Sequence, residues 1–103
     1  MGKLVYGDGG YSLDLDDRLL AHLQIVIGAK LRRREAFYFS WVSDSDKRNS
    51  IWIEHSIPLR YEYSDATQHQ INREWLENLT VSANGASGLI VSDEPAPPKP
   101  AKK

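Results

Sequence analysis

Hydrophobic residues recur at steps of three and four over residues 16–34, and this stretch organises the prediction for the whole chain. The apolar stripe comprises Leu19, Leu20, Leu23, Val26, Ile27 and Leu31. This spacing is typical of one face of an amphipathic helix. Asp16 can cap the first free amides, and Asp17 lies in the first turn, where the helix dipole favours a carboxylate. Basic residues fill the last turn, so pattern, cap and charge together predict a central helix over residues 16–34.

Alternating apolar and polar residues predict short strands on both sides of this helix. The predicted strands are residues 3–6, 11–15, 35–42, 50–55 and 59–63. Gly7-Asp8-Gly9-Gly10 joins the first two, and its Asp-Gly step is typical of a tight hairpin turn. Phe37, Phe39 and Trp41 form an aromatic face on the third strand. Short connections between the last three strands predict an antiparallel meander, with the central helix lying across its aromatic face.

A second helix is predicted over residues 72–84. Asn72 is the natural cap, and the Asn84-Gly85 step is a natural end. Its buried stripe would be Trp75, Leu76, Leu79 and Ala83. A last strand is predicted at residues 88–92, which gives the order ββαβββα(β). This order predicts an α+β, two-layer domain over residues 1–92, with two helices on a mainly antiparallel sheet. Residues 93–103, rich in Pro, Lys and Ala, are predicted to be a disordered tail.

The composition indicates an ordinary globular domain. Of 103 residues, 41% are hydrophobic and 26% are charged, and the length suits a single domain. Lys and Arg (13) nearly balance Asp and Glu (14), so net charge alone points to no partner. The absence of cysteine excludes disulfides, thiol nucleophiles and cysteine metal sites. No apolar segment reaches the ~18 residues that span a bilayer, and residues 1–7 lack the apolar run of a signal peptide. We therefore expect a cytoplasmic protein with no membrane partner.

Patterns typical of catalysis, cofactor binding or metal binding are weak in this sequence. The glycine-rich segment at residues 7–10 precedes a strand rather than a helix, so it is a turn and not a phosphate loop. His22, His55 and His69 lack the close spacing of a metal-ligand pair, and His22, beside the apolar stripe, is predicted to be packed or half-exposed. No Gly-x-Ser-x-Gly elbow supports a Ser–His–Asp hydrolase. We therefore predict no catalytic, cofactor-binding or metal-binding residues.

Basic residues accumulate at the end of the central helix. The candidate nucleic-acid contacts are Lys30, Arg32, Arg33 and Arg34, joined by Lys47 and Arg48. These side chains could contact phosphates. The alternative interpretation is that they complement the helix dipole and are solvated. With Leu31 facing inward and about 100° between successive residues, the three arginines fan around the helix, which favours the second interpretation.

The three tryptophans have different predicted roles. Trp41, on the aromatic strand face, and Trp75, on the second helix stripe, are expected in the core. Trp52 lies on the face opposite Ile51 and Ile53. If that face is open, Trp52 is the best candidate for a protein contact, since tryptophan is favoured at interfaces. The alternative is that the first hairpin or the last strand covers it.

Several segments resemble a known family. They are Met1-Gly2-Lys3-Leu4-Val5-Tyr6-Gly7, Asp16-Asp17-Arg18-Leu19-Leu20-Ala21-His22-Leu23-Gln24, Ala29-Lys30-Leu31-Arg32-Arg33, Ser50-Ile51-Trp52-Ile53, Ser56-Ile57-Pro58-Leu59, Asn72-Arg73-Glu74-Trp75 and Ser82-Ala83-Asn84. Together they resemble short actinobacterial proteins of unassigned function, some of which carry an automatic label of ATP-dependent DNA ligase. The resemblance runs from Met1 to about Val91.

The ligase label implies a Lys-x-Asp-Gly motif, whose lysine takes up AMP. Lys3, Lys30 and Lys47 all lack these neighbours, and a nucleotide pocket with its closing domain needs a longer chain. We therefore expect no ligase catalysis, whereas an accessory role beside a ligase stays open.

These observations predict a small domain that binds a partner without catalysing a reaction. The favoured hypothesis is a protein-interaction module, recognisable by an exposed apolar patch around Trp52 or on the outer sheet face. The alternative is a nucleic-acid-binding accessory protein, which the family label would associate with DNA ligation. Such a protein would be recognisable by a contiguous basic surface. An enzyme would instead require a concave pocket with convergent polar groups.

Overall fold

A computed structural model describes residues 1–96 and has the element order ββαβββαβ. The strands are β1 (Gly2–Tyr6), β2 (Tyr11–Leu15), β3 (Phe37–Val42), β4 (Arg48–Ile53), β5 (Leu59–Glu62) and β6 (Leu89–Ile90). The helices are α1 (Asp17–Arg32) and α2 (Arg73–Ala83). The predicted α+β class and element order are confirmed. Most of the predicted tail, residues 97–103, lies outside the described residues.

The helix α1 begins as predicted and ends two residues early. The carboxylate of Asp16 accepts a hydrogen bond from the backbone N–H of Arg18 at 3.1 Å, which satisfies one free amide of the first turn. Arg32 is the last helical residue. Arg34 has a left-handed backbone, with φ of 58°, and its N–H donates to the carbonyl of Leu31 at 3.0 Å. The basic cluster therefore spans the helix end and the turn that follows it.

The helix α2 also begins at its predicted cap. The Asn72 side-chain oxygen accepts from the backbone N–H groups of Glu74 and Trp75, at 3.1 and 3.3 Å. Trp75, Leu79 and Ala83 are buried, and Leu76 is half-buried. The predicted apolar stripe is thus the face that packs into the core.

The strands form two sheets, so the predicted three-strand meander is wrong. One sheet has the order β2-β1-β5 and the other the order β4-β3-β6. β5 leaves β4 and pairs antiparallel with β1, in the register Tyr6↔Leu59. The Gly7 N–H donates to the carbonyl of Pro58 at 2.9 Å, which attaches the start of β5 to the first hairpin. Alternation in a sequence identifies a strand but not the strand with which it pairs.

The core lies between the helices and the inner faces of the sheets. The α1 helix packs against β1 and α2, and α2 packs against β3 and β6. The aromatic face of β3 is therefore packed by α2, and not chiefly by the central helix as predicted. Trp75 is buried as expected, whereas Trp41 is half-buried and stacks on Phe39 with ring centroids 5.4 Å apart. Within residues 1–96, neither helix is long and apolar enough to cross a membrane.

Candidate functional site

The outward side of the β4-β3-β6 sheet carries a row of aligned side chains, here called the outer face. Antiparallel pairing of β3 with β4 sets three cross-strand pairs on this side: Tyr38↔Trp52, Ser40↔Ser50 and Val42↔Arg48. The intervening pairs, such as Phe37↔Ile53, point to the core, because successive side chains alternate between the two faces of a sheet. Ile90 of β6 aligns with Ser40 in the parallel register and completes the outer face.

This face concentrates exposed apolar side chains. Tyr38, Val42, Trp52 and Ile90 are 52%, 64%, 43% and 48% exposed. All four are carried by this one three-stranded sheet. The side chain of Trp52 is exposed, and neither the first hairpin nor the last strand covers it. Large exposed patches of this kind mark binding surfaces on soluble domains.

The two aromatic rings on this face pack against each other, and nearby hydrogen bonds anchor the strands that carry them. The rings of Tyr38 and Trp52 meet edge to face, with centroids 5.0 Å apart and an angle of 66°, a favourable arrangement for aromatic quadrupoles. The Tyr6 hydroxyl, reaching from the other sheet, donates a hydrogen bond to the backbone carbonyl of Trp52. The hydroxyls of Ser40 and Ser50 bond to each other at 2.7 Å. The face therefore presents a packed aromatic pair on anchored strands, with the nearest serine hydroxyls already paired.

A groove of about 400 Å³ runs beside the aromatic pair. Its lining comprises Tyr38, Ser40, Trp41, Val42, Arg48, Ser50, Ala86, Ser87, Ile90 and Val91. Arg48 is the single charged residue in this lining. Within residues 1–96, its guanidinium forms no ion pair. The groove therefore combines apolar walls with one unpaired cation, Arg48, at the first residue of β4.

The basic cluster predicted from the sequence is only partly available at the surface. Lys30 is buried, donates to the Asn84 side-chain oxygen at 3.0 Å, and lies 3.2 Å from a carboxylate oxygen of Glu35. Arg33 shares the same Glu35 carboxylate at 3.6 Å. Arg32, like Arg33, is exposed. Two of the four cations at the helix end thus share one carboxylate, which offsets one of their two charges.

Two of the remaining predicted cations lie at the other end of β3. Lys47 and Arg48 precede or begin β4, opposite the end of β3, whereas Arg34 precedes the start of β3. The six residues of β3 separate the two groups, a length of roughly 17 Å at the usual rise of a strand. The candidate cations therefore form two groups, and Arg48 belongs to the outer face.

His22 is packed, as predicted, and is fully buried between the helices. Its ring lies 4.6 Å from that of Trp75, and both ring nitrogens have backbone partners. A histidine bonded in this way has no lone pair left for a metal. Among residues 1–96, no group of three or more metal-ligating side chains comes together.

Two wider clefts lie elsewhere on the molecule. One, of about 750 Å³, is lined in part by Arg18, Asn72, Arg73 and Glu94, and its polar groups are largely bonded to one another. The other, of about 690 Å³, lies between α1 and residues 65–71. The first holds the ion pair between Arg18 and Glu94.

Sequence reasoning identified Trp52 but missed Tyr38, Val42 and Ile90. The signal was present in β3, where Phe37, Phe39 and Trp41 point one way while Tyr38 and Val42 are apolar on the side expected to be solvated. A strand with apolar residues on both faces is either buried twice or open to a partner. The contribution of Ile90 required the parallel pairing of β6, which local sequence does not indicate.

Comparison with known proteins places the chain in a family without assigning it an activity. A search of curated proteins and a search of solved structures gave no match. A family model described as a domain of unknown function, DUF7882, matches residues 1–94. This match includes every helix and strand of the fold and the whole outer face. The chain is therefore a member of the DUF7882 family.

Proposed function

We propose that this domain is a non-catalytic interaction module that binds a partner protein through the outer face. The observation that carries this proposal is the convergence of Tyr38, Val42, Trp52 and Ile90 on one open sheet face. Aromatic anchors surrounded by smaller apolar and polar groups are typical of binding hot spots. The mutual packing of the two rings reduces the entropy that binding would otherwise lose by ordering these side chains.

Charge complementarity indicates the chemistry of the partner. Arg48 is exposed and unpaired among residues 1–96, and no acidic residue lines the groove. The groove of a second copy therefore supplies no carboxylate for Arg48, and Glu54, just beyond the end of β4, already accepts a hydrogen bond from the Ser56 hydroxyl. The occupant that fits is a segment of another protein, with an apolar side chain for the aromatic pair and an Asp or Glu for Arg48.

The register of β4 sets the spacing expected in that segment. Arg48, Ser50 and Trp52 point to the same side of one strand, so the Cα atoms of Arg48 and Trp52 are about 13 Å apart at the usual strand rise. An extended partner segment covers this distance in about four residues. We therefore expect an apolar residue and a carboxylate about four positions apart.

A selection from short random peptides, displayed on phage, tests the proposal. Peptides selected by the wild-type domain should carry the apolar residue and the carboxylate at this spacing. Trp52→Ser should weaken binding of the selected peptides by at least about tenfold, as expected for a central aromatic anchor. Val81→Ser, which removes an exposed apolar residue from α2 outside the outer face, is the matched control and should bind normally.

Arg48→Gln separates the two parts of the recognition. It should weaken binding of carboxylate-containing peptides and leave binding of their amide counterparts unchanged. Selected peptides that bind Trp52→Ser as tightly as wild type would contradict the proposal. Dimerisation of the wild type that Trp52→Ser abolishes would also contradict it, because the face would then bind a second copy.

The observations favour this function over the nucleic-acid alternative. The end of α1 presents exposed arginines, but Glu35 pairs with both Lys30 and Arg33. Binding to duplex DNA depends on several cations that can each neutralise a phosphate. An accessory role beside a DNA ligase would accordingly be exerted through protein contact at the outer face.

A further inference from the structure

The chain continues from β6 into a short segment, residues 91–95, here called the strap. Val91 lines the groove together with Ile90, so the strap begins on the outer face. It ends against the N-terminal parts of both helices, where Glu94 and Pro95 make side-chain and backbone contacts. The strap therefore connects the outer face to the N-terminal ends of both helices.

The strap is anchored at three positions. The Trp75 indole N–H donates to the carbonyl of Ser92 at 2.9 Å. The Arg18 guanidinium forms a forked pair with the two carboxylate oxygens of Glu94, at 3.1 and 2.7 Å. The Asn72 amide donates to Glu94 at 3.0 Å and to the Pro95 carbonyl at 3.1 Å. Forked, charge-assisted hydrogen bonds are the strongest class of such contacts.

The strand β6, by contrast, has little pairing of its own. It comprises two residues and pairs only with β3 among the described strands. The Val91 N–H donates to the Ser40 carbonyl at 3.3 Å, a long bond, and the Ile90 N–H donates to the hydroxyl of Ser82 on α2 at 2.9 Å. A two-residue edge strand is stable only when neighbouring contacts hold it. Leu89 in the core anchors one end, and the strap anchors the other.

We infer that Arg18 and Glu94 are positioning residues for the outer face: their forked pair closes the strap and thereby holds Ile90 and Val91 at the groove. This inference rests on the proposed function of the outer face. Strap closure and partner binding then stabilise each other, because a coupling between two equilibria is reciprocal. A partner seated on Ile90 and Val91 keeps the strap closed, and a broken pair weakens binding without touching any contact residue.

Amide hydrogen exchange tests the positioning step without any partner. Glu94→Gln removes the ionic part of the pair while keeping the shape of the side chain. The N–H groups of Ile90 and Val91 should then exchange at least about tenfold faster, while the N–H of Leu4 in β1 keeps its wild-type rate. Arg18→Lys keeps the positive charge but loses the forked geometry, and it should give an intermediate acceleration.

Asp17→Asn is the matched control for a general loss of stability. Asp17 accepts hydrogen bonds from the backbone N–H and the hydroxyl of Ser64, both at 3.1 Å, at a site that does not contact β6. This variant should leave the exchange of Ile90 and Val91 unchanged relative to Leu4. Peptides selected on the wild type should bind it normally and bind Glu94→Gln more weakly by about tenfold.

Hydrogen exchange tests the positioning role of Arg18 and Glu94, whereas peptide selection tests the proposed function, so the two can fail independently. Unchanged exchange at Ile90 and Val91 in both Glu94→Gln and Arg18→Lys would overturn the inference, whatever the peptides do. Equal acceleration at Leu4 would also overturn it, because the pair would then act on the whole fold. Local acceleration in a domain that selects no peptide would support the positioning role and contradict the proposed function.

Discussion

The backbone N–H of Asn72 donates a buried hydrogen bond to Nε2 of His22 at 2.8 Å. The other ring nitrogen, Nδ1, lies 2.7 Å from the carbonyl oxygen of Arg18. A carbonyl can only accept, so Nδ1 carries the proton and Nε2 carries the lone pair. His22 is therefore the neutral Nδ1–H tautomer and ties the cap of α2 to the first turns of α1.

Replacing His22 tests this connection. His22→Ala should lower the free energy of unfolding by about 2–4 kcal/mol, because it leaves the buried N–H of Asn72 without an acceptor and opens a cavity beside Trp75. Denaturant unfolding of the variant measures the loss. His55→Ala, at an exposed histidine, should change the same quantity by less than about 0.5 kcal/mol. Equal effects of the two substitutions would show that the buried bonds are not stabilising.

The acid stability of the domain should depend on Glu94. Hydrogen bonds to its carboxylate lower the pKa of Glu94 from 4.5 to about 2. The bond from Arg18 has the largest effect, and the bond from Asn72 adds to it. The pKa of Glu94 is lower in the folded state than in the unfolded state. The stabilisation that its ionised carboxylate gives the fold is therefore complete above pH 4.5 and is lost as the pH falls from 4.5 to about 2. The difference in unfolding free energy between wild type and Glu94→Gln should therefore shrink across this window. Parallel pH profiles for the two proteins would contradict the prediction.

Tyr61 should limit stability at the alkaline end. Burial, together with the nearby Tyr63, raises the pKa of Tyr61 from 10.0 to about 12. The folded pKa lies above the unfolded one, so the stabilising contribution is complete below 10.0 and is lost as the pH rises to about 12. Tyr61→Phe has no phenol to ionise and should lose less stability over this range. Phenolate absorbance during alkaline titration should show one tyrosine ionising last, and that step should be absent from the variant.

Much of the fold could be predicted from local patterns. Short-range chemistry in the sequence is enough to predict the caps at Asp16 and Asn72, the apolar stripes of both helices and the first hairpin. The pairing of β5 with β1 could not be predicted in this way, since it depends on the backbone bond from Gly7 to Pro58, two residues far apart in the chain.

The candidate site was predictable only in part, for the same reason. Trp52 could be placed on the outer side of its strand from alternation alone. The groove needs β6 beside β3, and the strap needs Glu94 to meet Arg18. Both are contacts between distant parts of the chain. The predicted tail began at Asp93, and its composition gave no sign that Glu94 and Pro95 contact the helices.

Two glycines should respond oppositely to alanine. Gly28 lies within α1, and a Cβ added there meets no atom within 4 Å, so Gly28→Ala should stabilise the domain by about 0.5–1 kcal/mol. Gly88 has φ of +83°, and a Cβ there would lie 2.4 Å from the Tyr38 carbonyl oxygen. Gly88→Ala should destabilise by about 2 kcal/mol or more and loosen β6. Thermal unfolding of both variants measures these changes, and a shift in the same direction for both would refute the prediction.

The exposed arginines after α1 allow a direct decision on nucleic-acid binding. If Arg33 and Arg34 contacted duplex phosphates, each would contribute roughly 0.9 to the slope of log affinity against log salt. The double variant with Gln at both positions would then lower that slope by about two and weaken binding to all sequences alike. We expect instead that wild type shows no such binding, because Glu35 already pairs with Lys30 and Arg33.

On this view the double variant should lose only a little stability. The pair between Arg33 and Glu35 spans 3.6 Å between half-exposed side chains, and pairs of this kind contribute about 0–1 kcal/mol. Fluorescence anisotropy with a labelled duplex at two salt concentrations, beside denaturant unfolding of both proteins, measures the two quantities. Micromolar binding by the wild type at physiological salt, together with the lowered slope in the variant, would establish the nucleic-acid function. A small change in unfolding free energy without any binding would leave these arginines as part of the helix terminus.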